Sequence, residues 1–112
     1  MGFFHTIVEA GEVLYDLARD QSEWSQATFG TDAERGPMGA LKHLEREARE
    51  AQENPTEPEE YADCFLLILD AARRAGIKPT ELMRHALAKM EINKARSWPK
   101  PTSDEPVEHI KD

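Results

Sequence analysis

Two pairs of carboxylates repeat one spacing in this chain, Glu47-x-x-Glu50 and Glu60-x-x-Asp63. Residues three apart on a helix lie on one side, so each pair forms a two-toothed fork. Between the forks runs NPTEP, residues 54–58, a break that can fold two helices against each other. Forks facing across such a hairpin gather four carboxylates in a small volume, which is repulsive unless a cation sits between them. Hard divalent ions accept all-oxygen coordination, and magnesium commonly combines a few carboxylates with water and phosphate oxygens. Such a site could orient and activate water and neutralise charge developing on a phosphoryl group. The competing reading is a solvated acidic face, with Arg46 and Arg49 in surface ion pairs of little energetic worth. Against it, Glu60, Asp63 and Asp70 share a side with Leu67 on an otherwise apolar helix, where acids are rarely left without partners.

Complementary charge stands further along. Lys89, Asn93 and Arg96 fall at i, i+4 and i+7, which puts two cations and an amide on one side of a helix. That set suits a polyphosphate, and equally a solvated helix end whose basic residues complement the dipole. His43, one turn before Glu47, could ligate a metal or bridge to phosphate, or be a surface histidine. Trp24 and Phe29 could stack on a base, or pack a core.

The elements that must position these residues are helical, because no run shows sustained two-residue alternation rich in Val, Ile or Thr. The periodicity predicts four helices, over about 12–27, 37–53, 57–75 and 79–95. Gly30 and Gly76 act as stops, and Pro37 is tolerated in a first turn. On the third helix Ala62, Phe65, Leu66, Ile68, Leu69 and Ala72 spread round most of the cylinder, which predicts burial on all sides. The resulting fold class is all-α, an antiparallel four-helix bundle over 1–96 followed by an extended, proline-spaced polar tail over 97–112. A chain of 112 residues is one domain and buries a modest core alone, so oligomerisation is expected to supply further apolar contact.

Charge narrows the partners. Of the net −8, residues 45–63 carry −6 through eight acids and two arginines, so the acidity belongs to one region. That balance argues against nucleic acid, since too few Lys and Arg are available to displace counterions. The single cysteine, Cys64, excludes an internal disulfide and any multi-cysteine zinc site. The first residues, MGFFHTIVEAGEVLYDLARD, lack a basic start before an apolar run, and no segment approaches the roughly 20 apolar residues of a membrane span. A cytoplasmic protein, neither secreted nor membrane-inserted, is the expectation.

The stretches QSEWSQATFG, GALKHLEREAREAQENPTEPEEYADCFLLILDAARRAG and KMEINKARSWPKP together resemble the MazG-like, all-α nucleoside triphosphate pyrophosphohydrolases. Within these they are most similar to the small dATP/dGTP diphosphohydrolase group of bacteriophage. The resemblance implies metal-dependent cleavage of a purine deoxynucleoside triphosphate, dGTP or dATP, between the α and β phosphates, releasing monophosphate and pyrophosphate. It places the metal ligands at Glu47, Glu50, Glu60 and Asp63, with Mg2+ or Mn2+ at two or more ions per site. Lys89, Asn93 and Arg96 become phosphate or sugar contacts, and Gln21, Trp24 and Phe29 the nucleoside pocket. It also implies a homodimer or homotetramer, and a role in phage nucleotide pools that could feed synthesis of a modified purine such as 2-aminoadenine. Two features depart from the pattern: the gap between Glu50 and Glu60 is short, and Lys42 stands where an aspartate is expected before the histidine. The alternative from a different class is a non-catalytic helical module that binds a basic partner, or a metal, through its acidic face.

Overall fold

The computed structural model describes residues 7–111, so the part of the leader reading that falls on residues 1–6 lies outside it. Four helices carry the fold: α1 (Ile7–Phe29), α2 (Met38–Glu53), α3 (Pro58–Arg74) and α4 (Pro79–Ala95). The all-α expectation holds. Three of the helices begin and end within two residues of their predicted bounds, while α1 starts earlier than the apolar period suggested. Its opening turns lack a sustained stripe yet contain no breaker stronger than Gly11, which costs a helix about 1 kcal/mol.

The stops follow from glycine's freedom at positive φ. Gly30 (φ 107°) ends α1, its amide donating to the Gln26 carbonyl at 3.2 Å. At the end of α3, Gly76 (φ 85°) and Ile77 donate to the carbonyls of Arg73 and Ala72, both at 2.8 Å, the paired bonds of a Schellman turn. Pro58 takes the first position of α3, where its missing amide costs nothing. Asn54 closes the other side of that turn with its amide and side chain both donating to the Glu50 carbonyl, and the Tyr61 hydroxyl donates to the Pro55 carbonyl at 2.8 Å. These bonds hold α2 and α3 as a tight hairpin.

The chain divides into two compact units at Pro79 and Thr80. In the first, α3 packs against both α2 and α1. Among the described residues, those most completely withdrawn from solvent are few and half of them polar: Leu69 and Ala71, with Ser25 and Asp70. The prediction that α3 is buried on every side is therefore corrected. Only Leu69, Asp70 and Ala71 are buried, whereas Phe65 and Ile68 remain 40% and 39% exposed, because α1 and α2 cover only part of the helix circumference.

The second unit contains most of α4 and the segment after it. That segment, expected to be extended, turns back on itself: Ser97 and Ile110 form an antiparallel bridge, the Ile110 amide donating to the Ser97 carbonyl at 2.7 Å. The Trp98 indole donates to the Asn93 carbonyl at 2.7 Å and meets His109 edge-on at 5.8 Å, so two aromatic rings supply the attraction that the prolines alone would not. Among the described residues no helix is long and apolar enough to cross a membrane.

Candidate metal centre and adjoining cleft

The hairpin does bring the forks together. One carboxylate oxygen from each of Glu47, Glu60 and Asp63 lies within 4.8 Å of the others. Glu47 sits two turns before the end of α2 and Glu60 and Asp63 in the first turns of α3, so the short NPTEP connection places them at the same height. Glu50 stands at the edge of this group. It is exposed, and its carboxyl is held above the usual range by a hydrogen bond with Glu47 and by the charges of Glu47 and Glu60. The Glu60 carboxyl is raised first by burial and then by the charges of Glu47 and Asp63.

Among the described residues no Lys or Arg forms an ion pair with Glu47, Glu60 or Asp63. The partner of Glu47 is His43, whose Nε2 lies 3.0 Å from Glu47 Oε1 and orients that carboxylate. The second oxygens of Glu47 and Glu60 are buried with no hydrogen-bond partner. A withdrawn carboxylate oxygen without a donor is costly, and native proteins rarely leave one. Hard, anionic oxygens with open lone pairs are the ligand set of Mg2+ or Mn2+, so these residues fit a divalent ion. Bound there, such ions supply Lewis acidity toward phosphate oxygens and toward an attacking water.

Beside the carboxylates opens a cleft of ≈ 370 Å³ between α1, α2 and α3. Gln21, Trp24, Phe29 and His43 all line it, together with Glu47 and Asp63, so four residues singled out from sequence meet two of the clustered carboxylates. Leu17, Leu66 and Leu67 add apolar wall to it, beside Asp20, Ser25 and Asp70. Trp24 and Phe29 meet edge to face at 5.4 Å and are 59% and 49% exposed, which presents ring surface to the cleft rather than to a core. Lys89, Asn93 and Arg96 lie in the second unit, the first exposed and the other two half-buried.

Sequence reasoning missed the network that supports the cleft. Asp70 accepts hydrogen bonds from Gln21 Nε2 at 3.0 Å, Arg73 Nη2 at 2.7 Å and Arg74 Nε at 3.1 Å. Burial pushes the Asp70 carboxyl up, but hydrogen bonds from Ser25, Gln21, Arg73 and Arg74 outweigh it and hold the group well below the usual carboxylate range. Arg73 also donates to the Gln21 amide oxygen, so both ends of that amide are fixed, and its Nε donates to both oxygens of Asp32 in the α1–α2 loop. The Arg74 side chain, 3% exposed, reaches the carbonyls of Gly30 and Thr31 at 3.0 and 3.3 Å and Ser25 Oγ at 3.0 Å. The spacing Asp70-x-x-Arg73-Arg74 carried a signal for the local ion pairs. The loop carbonyls that complete the clamp carried none.

Three comparisons with known proteins agree. Residues 17–112 match the model of the dATP/dGTP pyrophosphohydrolase family. The chain is 36% identical over 84 residues to the dATP/dGTP diphosphohydrolase of Cyanophage S-2L, covering 73% of this chain and 77% of that protein. It is 47% identical over 96 residues to the Eaa protein of Salmonella phage P22, covering 86% of this chain but only 29% of that relative. Among solved structures it is similar to the Cyanophage S-2L MazG-like pyrophosphohydrolase bound to dGDP and three catalytic Mn2+ ions per active site, with a TM-score of 0.67 and 31% identity over 88% of this chain and 97% of that one. The chain belongs to the dATP/dGTP pyrophosphohydrolase family.

Proposed function

We propose that this protein hydrolyses purine deoxynucleoside triphosphates, dGTP and dATP, to the monophosphate and pyrophosphate with Mg2+ or Mn2+ held by Glu47, Glu50, Glu60 and Asp63. The observation that carries the reading is the meeting of three carboxylates within 4.8 Å, two of them with a buried oxygen that lacks any partner, beside a cleft walled by aromatic and aliphatic side chains. Family membership and the ligands named for the S-2L structure support it.

In this reading Trp24 and Phe29 hold the base, with Gln21 fixed by Asp70 and Arg73 so that its remaining hydrogen-bonding capacity faces a constant direction. His43 keeps Glu47 in its ligating rotamer. The four carboxylates would hold the ions, which would supply Lewis acidity toward the phosphate oxygens and the attacking water. The water oxygen bonds to the α-phosphorus, the bond to the α,β-bridging oxygen breaks with its electron pair on the departing pyrophosphate, and a proton is released to solvent. Lys89, Asn93 and Arg96 contact phosphate or sugar once the assembly is complete. A homodimer or homotetramer is part of the proposal: Leu87, Met90 and Ile92 of α4 are 70%, 53% and 47% exposed in a single chain, and a second copy would cover such a surface. The proposal includes action in the cytoplasm of a phage-infected host, on the nucleotide pool, which the phage origin of both relatives supports.

The test is a screen of the common nucleoside triphosphates with Mg2+ and with Mn2+, resolving monophosphate from diphosphate and run in oxygen-18 water. The label should appear on the purine monophosphate, with unlabelled pyrophosphate. Label confined to pyrophosphate would place attack at the β-phosphorus, and orthophosphate with nucleoside diphosphate would place it at the γ-phosphorus. Either contradicts the proposal. No metal-dependent product at all would return the chain to a non-catalytic acidic module.

A further inference from the structure

The cleft continues past His43 and Asp70 into a second cavity of ≈ 330 Å³, and there the charge reverses. Three guanidinium-bearing residues, Arg35, Arg46 and Arg74, line it, and Asp70 is the one carboxylate in its lining. That carboxylate is already held by Arg73 and Arg74, and Arg74 is further bound to Ser25 and to loop carbonyls, including that of Arg35. Arg35 and Arg46 differ. Among the described residues neither side chain has a hydrogen bond or ion pair, although Arg46 stands one turn from Glu50 while Arg49 does pair with Glu45, at 3.2 Å. The Arg35 guanidinium also lies directly over Gly39, where an added Cβ would overlap it. Two unpaired cations thus converge on a cavity that shares a wall with the metal centre.

We propose that Arg35 and Arg46 form an anion subsite for the β- and γ-phosphates of the substrate and, after cleavage, for pyrophosphate. The inference rests on the pyrophosphohydrolase reading and adds to it a place for the leaving group. Leu17 and Trp24 line only the first cavity and Arg35 and Arg46 only the second, with His43 shared between them. A nucleotide whose base meets the aromatic wall can therefore extend its phosphates past the carboxylates toward the two arginines. Guanidinium groups suit this role because their planar forks match phosphate oxygens.

Calorimetric titration of the Mg2+-loaded protein with pyrophosphate, and separately with orthophosphate, tests the subsite. Removing one charged hydrogen-bond partner should weaken pyrophosphate binding roughly 10- to 100-fold in R35A and in R46A, with Mg2+ uptake unchanged. G39A guards against a folding artefact. Alanine favours the helix over glycine and preserves every charge, yet its Cβ must push the Arg35 guanidinium aside, so pyrophosphate affinity should fall there as well. Affinity within twofold of the parent in R46A and G39A would overturn the subsite, as would absence of pyrophosphate binding in the parent. Orthophosphate binding as tight as pyrophosphate would overturn its assignment to a diphosphate. Because the titration needs no turnover, a parent that binds pyrophosphate through these arginines but hydrolyses no nucleotide would sink the proposed function and leave the subsite standing.

Discussion

α3 carries two acidic centres two helical turns apart, and they are electrostatic opposites. At its start Glu60 and Asp63 face Glu47 with no Lys or Arg of the described residues paired to them, and the carboxyls of Glu60 and Glu50 are raised. Toward its end Asp70 is surrounded by two guanidinium groups, an amide and a hydroxyl, and its carboxyl is held low. The residue types are the same and the helix is the same; what differs is whether the protein itself supplies the donors. One centre is complete within the chain and holds the fold together. The other leaves its repulsion uncompensated by the chain, and in the proposed function an ion completes it.

The largest effects should separate these two roles. Asp63→Asn or Glu60→Gln removes a ligand charge with little change in volume, so metal-dependent turnover should fall by more than about 100-fold, beyond what loss of an outer-shell partner usually costs. The ion-free variants should be no less stable to urea than the ion-free parent, because a repulsion has been removed. Full activity in both variants would remove these residues from the site, and a large stability loss would mean that they serve a structural ion pair. Arg74→Ala should do the reverse. It strips a buried cation from Asp70 and from three loop carbonyls, so urea unfolding should show a loss of about 3–5 kcal/mol. Mg2+ affinity of the fraction that folds should stay near that of the parent.

A smaller effect is expected at the second unit. If Lys89 and Arg96 meet phosphate oxygens rather than the ion, K89A and R96A should each weaken nucleotide binding by roughly 1.5–3 kcal/mol while metal titrations are unchanged. Unchanged nucleotide affinity would leave Arg35 and Arg46 as the phosphate-binding cations.

The smallest effect is a pH trend that the two centres push in opposite directions. Glu50 and Glu60 bind protons more tightly in the ion-free fold than at their ordinary value of 4.5, so ion-free stability should rise as pH falls from neutral through that raised range. Asp70 contributes stability that is full above its ordinary 3.8 and is lost as pH falls below it toward the depressed folded value. Urea midpoints against pH should therefore pass through a maximum in the acid range. With saturating Mg2+ the rise on acidification should vanish, because protons then compete with the ion. A flat ion-free profile above pH 4 would contradict the repulsive cluster.

The sequence exposed the first centre far better than the second. Repeated i, i+3 spacing on two helices joined by a proline break suffices to place Glu47, Glu60 and Asp63 together, since the hairpin leaves them little choice. Glu50, three residues after Glu47, is exposed at the edge of this group, with its carboxyl raised by Glu47 and Glu60. The clamp around Asp70 was hidden for a physical reason: four of its members, Gln21, Ser25, Asp32 and the Gly30 carbonyl, lie more than 35 positions away in the chain, and backbone carbonyls leave no mark on residue type. Burial of α3 was overread because apolar residues spread round a helix do not say how much of its circumference neighbouring helices cover, and α1 and α2 cover only part. Phe65 and Ile68 stay open here, and Leu87 and Met90 with them.

Direct titration with Mn2+, followed by its paramagnetic signal, tests the central contrast between an acidic site whose charge the chain leaves uncompensated and one whose charge it pairs. The parent should take up two or more ions at a concentration where the double variant Glu60→Gln with Asp63→Asn takes up none, and Asp70→Asn should match the parent per folded molecule. Equal uptake by the parent and the double variant would show that the facing carboxylates do not hold the metal, and the account built on them would fall.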